Sequence, residues 1–178
     1  TEAKKKYAGI TVDSKIDIVG LEAVRGDWSM IAREAQTETI KTVLETGDGR
    51  EALKTARRYV KKLMDGDVEL KKLILWKQIT RPLDEYEATQ PHIVVARQLI
   101  QEGWRIQPGD KVGYVVIRGE GPLYRRVKPY FKVSKEEIDW EYYIDKQVMQ
   151  ACIRILEPLG VKLEELKKTG EVSLTDFF

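Results

Sequence analysis

The sequence predicts an α+β fold in which helices dominate, a β-hairpin stands first and only a few further strands follow. Two observations favour helices. Apolar residues recur three or four positions apart over long stretches, and Asp, Gly or Pro residues stand where those stretches begin and end. A third observation limits the strands, because the β-branched and aromatic runs are short and are bounded by turn residues. The chain shows no internal repeat and no low-complexity linker.

The first predicted elements are the two strands of the hairpin. Residues 7–12 and 16–21 are strand-like, and a polar turn at 13–15 separates them. Asp27 then offers the N-cap of a long helix, which carries apolar residues at helical spacing and ends at Gly47.

A second helix follows the first after a very short connection. Asp48 is its expected cap, and its apolar residues continue to the breaker at 65–66, so the two helices form a helical hairpin. Residues 72–79 are predicted to be a strand, because the run is rich in β-formers and too short between breakers for a helix. Pro91 opens another helix, which extends to Gly103.

The last third of the chain contains one strand and two helices. Residues 111–117 are predicted to be a strand. Asp139 is expected to cap a long helix that runs to Leu156 and is stopped by Pro-Leu-Gly at 158–160. A short helix at 162–168 leads into the tail.

The composition restricts the possible functions. Charged residues make up 34% of the 178 residues and the net charge is only +2, so a nucleic-acid surface must come from local clusters of Lys and Arg. The only cysteine, Cys152, excludes an intrachain disulfide and a cysteine metal cluster, and it favours a reducing, cytoplasmic location. No apolar run approaches the length of a membrane span, so we expect a soluble protein with no membrane partner.

The sequence nominates no catalytic residue and no metal ligand. His92 is the only histidine, and no nucleophile or orienting group accompanies it. Two-metal phosphoryl transfer needs carboxylates around two ions that lie within about 4 Å of each other. No Asp-x-Asp or similar pair stands on a predicted strand. This pattern indicates a binding surface rather than a reaction centre.

The densest basic cluster is Lys4-Lys5-Lys6-Tyr7 at the start of the first predicted strand. Alternation along a strand places Lys4 and Lys6 on one face, and Lys5 and Tyr7 on the other. Lysines at this density can neutralise phosphates and reach acceptors in the minor groove. On this motif alone, a solvated N-terminus is the simpler explanation.

A second candidate cluster surrounds the start of the third predicted helix. Thr80 and Arg81 follow a predicted strand and present a hydroxyl and a guanidinium, a common arrangement for phosphate binding. Thr89 and His92 stand where the next helix begins, and helix N-termini favour anions. These four residues can hold one strand of a duplex. Ordinary capping by Thr89 and a surface Arg81 is the alternative.

The chain ends in two adjacent phenylalanines. If residues 174–178 form one tight turn, Leu174, Phe177 and Phe178 lie on a single face as an apolar plug. Such a plug either folds back onto the domain or inserts into a partner. The pattern resembles the peptide by which DNA-processing proteins bind a ring-shaped sliding clamp, with Glu171 where that peptide usually has Gln.

Several stretches together resemble the carboxy-terminal part of archaeal family B DNA polymerases, which comprises the last palm strands and the thumb. In the family's order, they are KKKYA at 4–8, GLEAVRGDWS at 20–29, QITRPL at 78–83, YEATQPHI at 86–93, EYYIDKQ at 141–147 and the tail. The resemblance covers essentially the whole chain. It implies a palm segment at 1–26, a thumb domain at 27–168 and a clamp-binding tail at 169–178.

The resemblance also implies which residues contact DNA and the clamp. Lys5, Lys6 and Tyr7 match the palm motif that follows the primer-template duplex near the growing end. Arg25 matches a residue at the root of the thumb, near the duplex. Thumb residues that contact backbone phosphates are matched by Thr80, Arg81, Thr89 and His92. The clamp-binding peptide is matched by Glu171, Leu174, Phe177 and Phe178.

Three positions depart from the family's pattern. Gly26 replaces a second Arg, Glu87 replaces a Lys expected beside the duplex, and Gln90 stands where Gly is common. These changes, with Glu171 in the tail, weaken the expectation of tight DNA binding by the thumb alone and of ordinary clamp affinity.

The sequence contains no exonuclease, no fingers and neither of the palm's aspartate motifs. The resemblance therefore implies the small subunit of a split DNA-directed DNA polymerase, a nucleotidyltransferase that is inactive without its large catalytic partner. That partner would supply the aspartates and the magnesium. A fragment of an ordinary polymerase would explain the same sequence. Two other functions stay open: a non-enzymatic, clamp-tethered adaptor that binds duplex DNA, and an α+β domain that binds a small molecule.

Overall fold

The structure, a computed structural model, describes residues 9–10, 16–17 and 28–167. Its mixture of helices with small antiparallel sheets confirms the predicted α+β class. The chain divides into two compact units. The helical unit comprises Thr1–Val68 and Trp140–Phe178, and the sheet unit comprises Glu69–Asp139.

The first described elements of the helical unit are an antiparallel pair of short strands, β1 (Gly9–Ile10) and β2 (Ile16–Asp17). Ile10 pairs with Ile16, so a hairpin lies where the sequence predicts one. The remaining residues of the two predicted strands lie outside the described residues. The described helices of this unit are α1 (Met30–Thr46), α2 (Gly49–Met64), α4 (Trp140–Tyr142), α5 (Met149–Leu156) and α6 (Leu163–Lys167).

Helix α1 begins later than the sequence suggests. Its N-cap is Ser29, whose Oγ accepts a hydrogen bond from the Ala32 N–H at 3.4 Å, so the prediction of Asp27 as the cap is wrong. Its end is predicted correctly: Gly47 adopts a left-handed conformation, with φ of 66°, and its N–H donates to the Val43 carbonyl.

Helix α2 begins where the sequence predicts. Asp48 is its N-cap, and its carboxylate accepts from the Arg50 N–H at 2.8 Å. The helix is strongly two-sided. Its buried residues are Ala52, Leu53, Thr55, Ala56, Val60 and Leu63. Because α1 and α2 pack side by side after a two-residue connection, the predicted helical hairpin is confirmed.

The last long helix is not regular. The sequence predicts one α-helix from 139 to 156, whereas the structure inserts a π-helical segment, Tyr143–Val148, between α4 and α5. Helical spacing in the sequence does not distinguish the wider π turn from an α turn. A 3₁₀ turn, Glu157–Leu159, and the left-handed Gly160 then end the helix as predicted.

Buried polar side chains connect α1 to this last helix. Gln147, in the π segment, accepts two hydrogen bonds from Ser29, and Gln36 Nε2 donates to the Ala151 carbonyl at 2.8 Å. Nearby, Thr39 Oγ1 lies 3.6 Å from the sulfur of Cys152, and burial raises the pKa of that thiol to about 12. Cys152 is therefore an inert core thiol.

The sheet unit contains a three-stranded antiparallel sheet in the order β3-β4-β5. Its strands are β3 (Leu75–Gln78), β4 (Lys111–Val116) and β5 (Val127–Pro129). The prediction of a strand over 72–79 is wrong at its start, because Leu70–Leu73 is a 3₁₀ turn and pairing with β4 begins at Leu75. Strand β5 was not predicted, since it is three residues long and ends in Pro.

One α-helix, α3 (Pro91–Gln101), begins at Pro91 as predicted. It packs against β4 and β5. The other described helical segments of this unit are 3₁₀ turns: Leu70–Leu73, Leu83–Glu85, Leu123–Arg125, Tyr130–Lys132 and Lys135–Glu137. Within the described parts of the chain, no helix is both long and apolar enough to cross a membrane.

Candidate nucleic-acid interface

The segment between β3 and α3 presents two of the predicted site residues on the surface. It leaves the sheet at Ile79, which is fully buried. The Ile79 N–H donates to the Asp110 carbonyl at 2.8 Å, and the Gly109 N–H donates to the Ile79 carbonyl at 2.7 Å. These bonds fix the point from which the exposed residues Thr80 and Arg81 emerge.

Tyr86 organises both of these residues. Its hydroxyl accepts the Thr80 N–H at 3.0 Å and shares a second hydrogen bond with Thr80 Oγ1 at 2.9 Å. The Arg81 guanidinium lies over the Tyr86 ring, with Cζ 4.5 Å from the ring centroid. The Thr80 hydroxyl is the main reason that the pKa of Tyr86 lies below its ordinary value.

Helix α3 holds Tyr86 in place from the other side. Arg97 Nη2 donates to the Leu83 carbonyl at 3.1 Å and to the Tyr86 carbonyl at 3.3 Å. A guanidinium can satisfy two carbonyls at once, so the 3₁₀ turn Leu83–Glu85 and the residue after it are tied to the helix.

His92 lies beneath this arrangement. Its ring meets the Tyr86 ring edge to face, with centroids 5.7 Å apart and an interplanar angle of 86°. The residue is only 4% exposed. Burial, and secondarily the charge of Lys77, lowers the pKa of His92, so the imidazole is neutral at pH 7.

Thr89 does not cap α3. The N-cap is Gln90, which makes no side-chain capping bond, and Pro91 occupies the first helical position. The alternative in which Thr89 is an ordinary cap is therefore wrong. Thr89 is exposed in the turn before the helix, and its hydroxyl has no hydrogen bond to another described residue.

Thr80, Arg81, Tyr86 and His92 together are called the Tyr86 cluster below. The charge around it is mixed. Arg81 is accompanied in the same segment by three exposed carboxylates, on Asp84, Glu85 and Glu87. At neutral pH, these acids oppose an approaching phosphate backbone, as expected from the departure at Glu87.

The structure thus brings three of the predicted DNA-binding residues, Thr80, Arg81 and His92, together around Tyr86. Tyr86 and Arg97 were not nominated from the sequence. The sequence signal for Tyr86 was its aromatic ring midway between Thr80-Arg81 and His92, within reach of both. The other predicted site residues, Lys5, Lys6, Tyr7, Arg25, Glu171, Leu174, Phe177 and Phe178, lie outside the described residues.

The described residues do not offer a metal site. Nowhere within 9–10, 16–17 and 28–167 do three or more His, Cys, Asp or Glu side chains converge as ligands would. The donor set that a magnesium ion needs is not assembled by this part of the chain.

Comparison with known proteins identifies the chain's relatives. The model of the family "DNA polymerase family B" matches residues 2–159. DNA polymerase 2 of Aeropyrum pernix is 53% identical over 99% of this chain, and a DNA polymerase of Pyrococcus glycovorans is 42% identical over 97%. The alignments span 22% and 23% of those two proteins, so the chain corresponds to about a fifth of their length.

A solved structure agrees with this assignment. The family B DNA polymerase from the hyperthermophilic archaeon Pyrobaculum calidifontis superposes with a TM-score of 0.75 at 40% identity. The match covers 91% of this chain and 21% of that one. By sequence and by fold, this chain belongs to the family B DNA polymerases.

Proposed function

We propose that this chain is the part of a DNA-directed DNA polymerase that grips the primer-template duplex, in the position of the thumb. The observation that carries the proposal is the Tyr86 cluster, which holds a hydroxyl and a guanidinium side by side on an exposed, braced segment. Membership of the family supports it.

The gripping mechanism follows from this geometry. The Thr80 hydroxyl and the Arg81 guanidinium donate to phosphate oxygens of one strand, and Tyr86 orients both before the DNA arrives. His92 supports the Tyr86 ring from below, and Thr89 lies free at the start of α3, where backbone N–H groups favour anions. Phosphate contacts carry no base information, so the grip is independent of sequence.

The rest of the enzyme is supplied elsewhere. We propose that this chain is a small subunit, inactive alone, and that a large polypeptide carries the aspartates. Magnesium ions on those aspartates would stabilise the charge that develops during nucleotidyl transfer. The palm segment 1–26 contributes Lys5, Lys6, Tyr7 and Arg25 to the duplex, residues 27–168 form the thumb, and the tail 169–178 binds the sliding clamp.

Removal of the Arg81 charge tests the grip. Arg81→Gln should weaken binding of a blunt duplex about tenfold and reduce the slope of log K against log salt by about 1. Arg125→Gln is the matched control, because Arg125 is also exposed and lies over a tyrosine, with Cζ 5.8 Å from the Tyr124 ring. Equal losses of duplex affinity in the two variants would show that Arg81 is not part of the interface.

Charge reversal at Glu87, one of the positions that depart from the family's pattern, gives the opposite test. Glu87→Lys replaces an exposed carboxylate beside Tyr86 with an ammonium, so duplex affinity should rise and the salt slope should steepen. Glu136→Lys, at an exposed site in the 3₁₀ turn Lys135–Glu137 of the same unit, controls for net charge. An identical gain in both would indicate a purely global charge effect.

Primer extension tests the division of labour. We expect strong synthesis only when this chain and the large polypeptide are mixed with magnesium. Phe177→Ala with Phe178→Ala should leave synthesis on short primers intact and abolish stimulation by the clamp. Strong duplex binding by this chain, with no gain on mixing, would instead favour the adaptor function.

A further inference from the structure

The sheet unit contains an aromatic cavity that the duplex grip does not use. Its volume is about 310 Å³. The residues that give it its character are four aromatic side chains and two basic ones, Trp76, Trp104, Tyr130, Phe131, Arg105 and Lys111. These six residues define what we call the aromatic cavity.

The four rings form a continuous chain of contacts. Trp76 lies 5.3 Å from Tyr130 between ring centroids, and Tyr130 meets Phe131 edge to face at 5.2 Å. Phe131 in turn stacks on Trp104 at 5.2 Å, with the ring planes only 23° apart. Lys132, the residue after Phe131, forms an ion pair with Glu102, which is the C-cap of α3. This ion pair braces the stacked rings.

The backbone of β4 is shaped to accept the Trp76 ring. Gly113 pairs with Trp76 across the strands. A Cβ atom at Gly113 would lie 2.8 Å from Trp76 Cζ3 and 2.9 Å from Tyr130 Cδ1, closer than real contacts allow. The absence of a side chain at this position therefore allows both rings to lie directly against the strand.

These rings face solvent to an unusual degree. Trp104 is 53% exposed, Phe131 46% and Trp76 38%, although aromatic side chains are normally mostly buried. A contiguous exposed patch of this kind is typical of a binding site.

The charges around the cavity favour an anionic occupant. Arg105 and Lys111 have no ion-pair partner among the described residues. The one lining carboxylate, Asp110, accepts the Gln107 N–H at 2.9 Å and so helps to close its own turn. The cavity thus combines stacking surfaces with two cations, which is the chemistry of sites that bind unpaired bases and their phosphates.

We infer that the aromatic cavity binds single-stranded nucleic acid by stacking one or two unpaired bases on its rings, while Arg105 and Lys111 contact the adjacent phosphates. Paired bases inside a duplex cannot enter, since both of their faces are covered by their neighbours. The cavity is also separate from the Tyr86 cluster. Trp76 and Lys77 are consecutive in β3 and project from opposite faces of the strand, and Lys77 is the residue whose charge reaches His92.

The inference is tested by tryptophan fluorescence with the whole 178-residue chain, titrated with a dT oligonucleotide of about 16 nucleotides and, separately, with a blunt duplex. Trp104→Ala with Phe131→Ala should weaken single-strand binding between about tenfold and a hundredfold, because each stacked base contributes about 1–3 kcal/mol. Duplex affinity should stay the same. Met64→Ala, a 42% exposed apolar residue of the helical unit, is the control and should change neither.

A second variant keeps the rings and removes the cations. Arg105→Gln with Lys111→Gln should leave the chain folded and reduce the salt slope of single-strand binding by about 1.4. Unchanged single-strand binding in both double variants would overturn the inference. It would also be overturned if the only effect of these variants were a loss of self-association or of binding to another protein. Arg81→Gln should affect the duplex arm alone, so failure of the grip and failure of the cavity give different results.

Discussion

Gln147 should be essential for the stability of the helical unit. Its Oε1 accepts the Ser29 N–H at 3.0 Å and the Ser29 hydroxyl at 2.7 Å, and it joins residues 118 positions apart. Ser29 is fully buried and Gln147 is 7% exposed. Gln147→Leu keeps the approximate size of the side chain, so no space opens for a water molecule that could replace the lost acceptor.

The cost can be worked out from these contacts. Each buried donor left without an acceptor costs about 1–3 kcal/mol, and rotation of the Ser29 hydroxyl recovers part of it, so we expect a loss of about 2–4 kcal/mol. For a chain of this size, that corresponds to a fall in Tm of roughly 5–15 °C. Thermal and urea unfolding measure it.

Gln150→Leu is the matched control. The Gln150 amide donates to the Asp145 carbonyl at 3.3 Å, and its side chain is only half-buried, so its loss should cost less than about 1 kcal/mol. A double-mutant cycle with Ser29→Ala should show a coupling of about 1 kcal/mol. Equal losses for Gln147→Leu and Gln150→Leu, or strict additivity in the cycle, would refute the reasoning.

Three further predictions concern the sheet unit. His92 is the only histidine, so its NMR titration is directly assignable, and its pKa should lie below 6.5. The free energy of unfolding should fall as the pH drops below that value, because the unfolded chain binds the proton more tightly. Lys77→Gln should raise the pKa of His92. Tyr86→Phe should weaken duplex binding severalfold without altering the salt slope, whereas Tyr124→Phe should have no effect. Gly113→Ala should cost about 1–3 kcal/mol and shift the fluorescence of Trp76, and an unshifted spectrum would show that the ring does not lie against the strand.

Sequence patterns predicted best those elements whose ends are determined locally. Asp48 and Gly47 form hydrogen bonds with backbone groups within one turn of themselves, so the boundary between α1 and α2 could be predicted from the local sequence. The start of α1 could not. Ser29 is the cap because it also bonds to Gln147, and a contact across 118 positions leaves no local signal.

Strand β3 and the candidate site show the same contrast between features that are determined locally and features that depend on distant residues. The apolar run at 72–79 is visible in the sequence, but the residue at which pairing begins depends on β4, more than 30 positions later. Thr80 and Arg81 could be nominated by residue type. Their orientation by Tyr86, and the tie from Arg97 to the turn before it, depend on how α3 packs, which residue types alone do not specify.

The buried thiol of Cys152 makes this chain suitable for site-specific labelling. It is the only cysteine, and a pKa of about 12 keeps it unreactive toward maleimides at neutral pH. One cysteine introduced on the surface, for example Glu87→Cys beside Tyr86 or Leu163→Cys in the helical unit, would therefore carry the whole of an added dye. Fluorophores at those two positions could report the arrival of duplex and any movement between the units without replacement of Cys152.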